Sequence, residues 1–200
     1  MLFTERYRSE LIGAIEAMDL REIESAIQWL SEARMLGRQI FVFGNGGSAS
    51  TASHFVCDMV KGASCGRSSR FRMMALTESM ATITAYSNDV SYETVFVEQL
   101  KNFANSGDVV VAISGSGNSA NVLRAVEYAD SIGCRTIALS GGNGGELVGI
   151  AGITIRVPES HMGRIEDAHM MVCHIIAYYF MDAKGSLQAT DLRCRDVLSL

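Results

Sequence analysis

The chain has 200 residues, of which 48% are hydrophobic and 20% charged, a composition that excludes an intrinsically disordered protein and suffices for one domain with a sizeable core. The formal net charge of −5 argues against a protein that binds nucleic acid by broad basic attraction. No apolar run approaches the ~20 residues that span a bilayer, so no membrane partner is expected. The N-terminal stretch has no signal core and the five cysteines are scattered without a CxxC pair, which predicts a cytoplasmic protein with reduced thiols.

Two amphipathic stretches, at about 3–18 and 21–36, predict N-terminal helices. After them, short apolar runs alternate with helical patterns, which predicts a doubly wound, three-layer α/β fold around a parallel sheet of five strands. The predicted strands are 39–44, 72–77, 108–114, 135–141 and 153–158, and the remaining predicted helices are 47–62, 78–104 in two pieces, 118–131, 144–150 and 162–182. We expect a single domain over 1–200, with N-terminal helices at 3–36, an α/β core at 39–182 and a tail at 183–200 whose structure the pattern does not assign.

Two of the predicted strands end in loops rich in glycine and serine, GNGGSAS from Gly44 and SGSGNSAN from Ser114. Glycines let the backbone approach a ligand, and the helix after each loop directs free N–H groups at the same point. Serine hydroxyls add donors without bulk; they belong to Ser48, Ser114, Ser116 and Ser119. Since ligands of such sheets bind outside the carboxyl ends of the strands, the loops predict a phosphate site that has no dedicated lysine. They do not match the nucleotide-binding P-loop pattern, and ordinary turns with N-caps are the alternative.

Four titratable residues form two pairs on predicted helices. His54 and Asp58 are four residues apart on the helix after the first loop, and Glu166 and His174 share one stripe of the last helix. Together they would make a two-histidine, two-carboxylate site for zinc or a similar ion. The sequence alone does not bring the two helices together, so polar surface or interface residues without a metal are the alternative.

Other polar residues have more ordinary explanations. Asn88 and Asp89 interrupt a helical pattern, as a helix stop or an Asx turn does. His161 falls in a predicted loop and His169 lies beside the polar stripe of the last helix, so we expect both to be structural.

The motifs taken together resemble the SIS (sugar isomerase) domain family. They are GNGGSAS, HF with a carboxylate four residues after the histidine, ND, ISGSGNSANV and RVPESHMGRIEDAHMMVCHII, and the resemblance covers roughly 3–182. Within that family they resemble the sedoheptulose 7-phosphate isomerases, also called phosphoheptose isomerases. The resemblance implies a cytoplasmic homotetramer with active sites at subunit interfaces. It also implies conversion of sedoheptulose 7-phosphate to D-glycero-D-manno-heptose 7-phosphate.

The resemblance further implies roles for individual residues. The substrate loop corresponds to Asn45, Gly46 and Gly47, a substrate-contacting pair to Asn88 and Asp89, and the phosphate cradle to Ser114, Gly115, Ser116 and Ser119. The zinc ligands correspond to His54, Asp58, Glu166 and His174, and we expect the first three to contact substrate as well. An aldose–ketose isomerisation through an enediol needs a base and an acid, and Asp58 and His174 are the expected pair.

Three positions depart from the family's usual pattern. Asp58 stands where glutamate is usual, Glu166 where glutamine is usual, and Lys61 is the nearest cation where the family has an arginine. These departures leave another sugar phosphate open as the substrate. A non-catalytic relative that binds the DnaA replication initiator through tetrameric protein contact is a second alternative. That branch lacks a histidine at the position of His174, so the presence of His174 and Asp58 favours the enzyme.

Overall fold

Five parallel strands form one sheet in the order β2-β1-β3-β4-β5. They are β1 (Gln39–Gly44), β2 (Arg72–Ala75), β3 (Val109–Ser114), β4 (Arg135–Gly141) and β5 (Ile153–Val157). The computed structural model describes residues 1–182, so the tail at 183–200, which the sequence pattern did not assign, lies outside the described residues. The predicted doubly wound α/β fold with a five-stranded parallel sheet is confirmed.

Helices cover both faces of the sheet. They are α1 (Phe3–Glu16), α2 (Leu20–Met35), α3 (Gly47–Cys57), α4 (Met80–Asp89), α5 (Val97–Phe103), α6 (Ala120–Ser131), α7 (Leu147–Ile150) and α8 (Met162–Asp182). The predicted helix at 47–62 changes character within its length, because α3 continues as a π-helical turn from Asp58 to Gly62. In that turn the Ala63 N–H donates to the Asp58 carbonyl at 2.9 Å, a pattern that often marks functional positions. In the described part of the chain, none of these helices is both long and apolar enough to cross a membrane.

The sheet separates two hydrophobic cores. Helices α1, α2, α3 and α8 bury their apolar faces against one side, and α5 and α6 pack on the other. Neighbouring strand residues alternate between the two cores: Val42 belongs to the first and Phe43 to the second. All six residues of β3 are buried, which explains why this central strand is apolar throughout until it ends at Ser114.

Polar contacts attach α1 to the start of α8. The Tyr7 hydroxyl donates to Asp167 Oδ2 at 2.7 Å. Arg164 binds Glu159 at 2.7 Å and Glu10 at 2.8 Å, and its side chain is only 12% exposed. The Arg164 guanidinium is the main cause that lowers the pKa of Glu159 to about 2. This arginine is therefore committed to holding the fold together.

Three cysteines of the described chain are free thiols, as the expectation of reduced cysteines requires: Cys57, Cys134 and Cys173. Burial raises the pKa of Cys134 to about 11 and that of Cys173 to about 12. Cys194 lies outside the described residues.

His169 is a core residue of α8, as its position beside the polar stripe predicted. It is 1% exposed, and neither ring nitrogen has a hydrogen-bond partner among the described residues. Burial lowers the pKa of His169 to about 4 from 6.5. The imidazole is therefore neutral in the folded protein near neutral pH.

We expect this histidine to make folding stability fall as the pH drops from about 6.5 towards 4. In that range the unfolded chain binds a proton that the folded chain does not, so acid favours unfolding, by about 3 kcal/mol in total for a shift of this size. The free energy of unfolding would be measured by urea denaturation at several pH values. In His169→Leu, its decrease between pH 6.5 and 4 should be smaller than in the wild type by this amount. The exposed-loop control His161→Gln should keep the wild-type slope, and an unchanged slope in His169→Leu would contradict the assignment.

Candidate active site

The first glycine loop joins β1 to α3 in a conformation that side chains would obstruct. A Cβ on Gly44 would lie 2.6 Å from the Ile113 carbonyl oxygen of β3 and 2.7 Å from Ser48 Cβ. Gly46, the N-cap of α3, has φ 53° and ψ −121°, a left-handed backbone that favours glycine. The loop therefore keeps the backbone close to β3 and leaves the N-terminus of α3 free of bulky side chains.

The second loop gathers three hydroxyls at the N-terminus of α6. Ser114 Oγ lies 3.2 Å from Ser119 Oγ and 3.5 Å from Ser116 Oγ. Ser119 is the N-cap residue, yet its side chain makes no capping hydrogen bond. Helix N–H groups and hydroxyls thus face the same place, an arrangement that suits a phosphate or another anion. We call Ser114, Ser116 and Ser119 with this helix end the serine cradle.

Side-chain amides connect the two loops. Asn45 Nδ2 donates to Asn121 Oδ1 and Asn121 Nδ2 donates to Asn45 Oδ1, both at 2.9 Å. The Tyr92 hydroxyl also donates to Asn45 Oδ1, at 2.8 Å. Sequence analysis predicted Asn45 but missed Asn121 and Tyr92. No local pattern could have found them, because the partners are 76 and 47 residues from Asn45.

Three of the four predicted metal ligands lie together on α3, its π-helical extension and α8. His54 Nε2 and His174 Nε2 are 3.1 Å apart, and Asp58 Oδ2 lies 3.3 Å from the first and 3.8 Å from the second. Ligand atoms about 2.1 Å from a tetrahedral zinc ion are about 3.4 Å from one another, so these spacings fit a shared ion. The side chains of the two histidines are 49% and 43% exposed, which leaves room for further ligands.

Glu166, the fourth predicted ligand, lies elsewhere along the same pair of helices. A Cβ on Gly47 would be 2.6 Å from Glu166 Oε1, so the carboxylate lies against the first turn of α3. His54 lies seven residues after Gly47 on α3, and His174 lies eight residues after Glu166 on α8; the two histidines meet there. Helices α3 and α8 therefore run side by side in the same direction, and the histidines are about 10 Å from the first loop. The part of Glu166 in metal binding stays a prediction.

The predicted pair Asn88 and Asp89 ends α4 on the protein surface. Asn88 Nδ2 donates to Asp89 Oδ1 at 2.7 Å, and α4 has no buried residue. Asp89 lines an open groove with Tyr86 and Val90. Tyr92, three residues further on, bonds to Asn45 of the first loop, but no hydrogen bond among the described residues joins Asn88 or Asp89 to either glycine loop, and their contact with a substrate stays a prediction.

Comparison with known proteins agrees with this geometry. The SIS domain family profile matches residues 5–141. Phosphoheptose isomerases from Geobacter sp. (strain M21) and Citrifermentans bemidjiense are 39% and 40% identical to this chain, over 86% and 84% of its length and 88% and 86% of theirs. A solved structure of phosphoheptose isomerase from Neisseria gonorrhoeae has a TM-score of 0.82 at 30% identity, covering 90% of this chain and 97% of that one.

The serine cradle leads to a test with inorganic phosphate. Ser116→Ala and Ser119→Ala each remove a hydroxyl that can donate to a phosphate oxygen, so each should weaken phosphate binding about ten- to a hundredfold. Ser131→Ala is the matched control, since Ser131 ends the same helix and its hydroxyl donates to a backbone carbonyl. Isothermal titration would give the affinities, and cradle variants that bind phosphate like the wild type would refute the anion site.

Proposed function

This chain belongs to the SIS-domain family and, within it, to the phosphoheptose isomerases, and from that premise we propose that it converts sedoheptulose 7-phosphate to D-glycero-D-manno-heptose 7-phosphate. The observation that carries the proposal is the pairing of two features. The serine cradle lies beside the loop that precedes α3, and the loop that forms it has no side chain larger than asparagine. The same α3 leads to a cluster of two histidines and a carboxylate. The first feature suits a phosphate and the second suits proton transfer.

The cradle would supply binding energy remote from the reacting carbons. Ser114, Ser116 and Ser119 donate hydroxyls to the phosphate oxygens, and the N-terminus of α6 adds its positive dipole end. A phosphate fixed in this way sets where each carbon of the sugar lies. Asn45 and the glycines beside it then face the carbon chain as its substrate loop.

Proton transfer falls to Asp58 and His174. The Asp58 carboxylate takes a proton from the carbon next to the carbonyl, and the electrons of that C–H bond form the C=C bond of an enediol. His174 protonates the carbonyl oxygen as its π bond breaks. The protonated Asp58 then returns its proton to the former carbonyl carbon, while His174 takes the proton from the hydroxyl of the neighbouring carbon, whose C=O bond forms as the C=C bond is lost and completes the aldose. Asp58 Oδ2 and His174 Nε2 are 3.8 Å apart, close enough to serve adjacent atoms of one substrate.

We include one zinc ion per subunit in the proposal. His54, Asp58 and His174 would hold it, and Glu166, whose carboxylate lies against Gly47 at the start of α3, is the fourth ligand of the proposal. A bound zinc ion would polarise the substrate carbonyl and stabilise the enediolate. Asp58 and His174 appear in both the ligand set and the proton-transfer pair, so their two roles alternate during the cycle.

Exposed apolar side chains support assembly into a homotetramer with active sites at the interfaces. On α1, Phe3 is 64% and Ile12 49% exposed, and on α8, Tyr178 is 55% and Tyr179 50% exposed. Since α8 carries His174, contacts made by this helix would lie beside the cluster. A cytoplasmic location, where sugar phosphates are found, completes the proposal.

We expect Asp58→Asn and His174→Asn to lower kcat by roughly 10²- to 10⁴-fold, because each removes a proton-transfer group. Turnover of sedoheptulose 7-phosphate and of shorter ketose phosphates would be measured with and without a chelator, together with bound zinc. Zinc content should fall in His174→Asn. Asp130→Asn, an exposed substitution at the far end of α6, is the control. A wild type that turns over none of these sugars and holds no metal would refute the enzyme and favour a protein-binding relative.

Substitutions that introduce a charged side chain on α1 test the proposed assembly separately. Phe3→Glu and Ile12→Glu should shift the protein from tetramer to smaller species, since a buried unpaired carboxylate opposes association. Val148→Glu, which alters a residue 48% exposed on α7, should leave the assembly unchanged. Sedimentation velocity at micromolar concentration would show the species, and a monomeric wild type would contradict the proposed interfaces.

A further inference from the structure

Asn121 is a buried polar residue that belongs neither to the serine cradle nor to the metal cluster. It is 2% exposed and lies in the first turn of α6, two residues after Ser119. Its amide forms both of its described hydrogen bonds with Asn45, at the end of the other loop. A buried amide that reaches across two strands in this way fixes the separation of the two loops.

The hydrogen bonds also determine what Asn45 has left to offer a ligand. Its Oδ1 accepts from Tyr92 Oη at 2.8 Å and from Asn121 Nδ2 at 2.9 Å, which occupies both lone pairs. Its Nδ2 makes one described bond, to Asn121 Oδ1. One N–H therefore remains, so in this arrangement Asn45 can donate to a ligand oxygen and cannot accept from a ligand hydroxyl.

We propose that Asn121 and Tyr92 are positioning residues: they hold the Asn45 amide as a donor at a fixed distance from the serine cradle, and so set the register of the sugar chain against its phosphate. This rests on the proposed function, in which the cradle binds the phosphate and Asn45 faces the carbons. Tyr92 and Asn121 approach Asn45 from two different connections of the sheet, so a change in either should misplace the amide without touching the cradle hydroxyls.

The inference distinguishes binding of the whole sugar from binding of its phosphate. In Tyr92→Phe and Asn121→Ala, the dissociation constant for sedoheptulose 7-phosphate should rise about tenfold, while that for inorganic phosphate should stay within about twofold. Asn121→Ala removes both hydrogen bonds to Asn45 without adding a charge beside the serine cradle. Tyr92 is 52% exposed, so Tyr92→Phe leaves the core packing intact.

Catalysis provides a second measurement. The values of kcat/KM for ketose phosphates of five, six and seven carbons would be compared in each variant. If the Asn45 amide is misplaced relative to the cradle, the values of kcat/KM for the three sugars should become more alike. Simple destabilisation of the fold should instead lower all three values by the same factor. Asn102→Ala is the control, because Asn102 bonds only a backbone carbonyl of its own helix in the described chain.

The outcomes separate the two proposals. Variants that bind the sugar and the phosphate in the wild-type ratio would overturn the positioning role, whether or not the wild type is active. A wild type that binds sedoheptulose 7-phosphate without isomerising it would overturn the proposed function alone. If Asn121→Ala does not fold, Tyr92→Phe decides the question by the same ratio.

Discussion

The adjacency of β1 and β3 is the constraint on which the rest of this structure depends. The two strands are far apart in the chain, yet Gly44 lies opposite Ile113 in the sheet. The strand order reverses at this pair, since β1 connects outwards to β2 while β3 leads on to β4 and β5. The two connections therefore leave towards opposite faces and open a crevice at the carboxyl edge. Both glycine loops border it, and the absence of side chains at Gly44 and Gly46 keeps it accessible.

Packing of α3 against α8 decides where the titratable groups meet. Both helices bury apolar faces against the same side of the sheet: Phe55 on α3 and Val172 on α8 belong to one core. Their remaining faces then lie next to each other at the surface, which brings His54 to within 3.1 Å of His174. The hydrophobic effect thus assembles a polar site indirectly, because burying one side of each helix leaves the polar sides facing one another.

The polar groups of this chain divide into committed and available ones. Arg164 is held by two carboxylates and Asn45 Oδ1 by two donors, so these contacts maintain the architecture around the crevice and leave one Asn45 N–H available. The serine cradle hydroxyls contact one another and the backbone. The half-exposed histidine pair likewise has room for further ligands. Available groups of this kind, set in a rigid frame, are what a binding site requires.

The sequence by itself determined the elements and the chemistry that each one carries. Strand and helix patterns are local, so the predicted bounds 39–44 and 162–182 agree with β1 and α8, and the pair His54 and Asp58 follows from helical spacing alone. The glycine loops were likewise recognisable, because tight strand-to-helix turns require residues of their kind.

Only the tertiary structure decided which of these elements meet. The Asn45–Asn121 pair and the contact of Glu166 with the start of α3 depend on strand order and on which face each helix covers. The burial of His169, without a hydrogen-bond partner among the described residues, depends on the same choices. Such contacts join residues tens of positions apart, and a local pattern of hydrophobic and polar residues fixes the shape of a segment but not its neighbours.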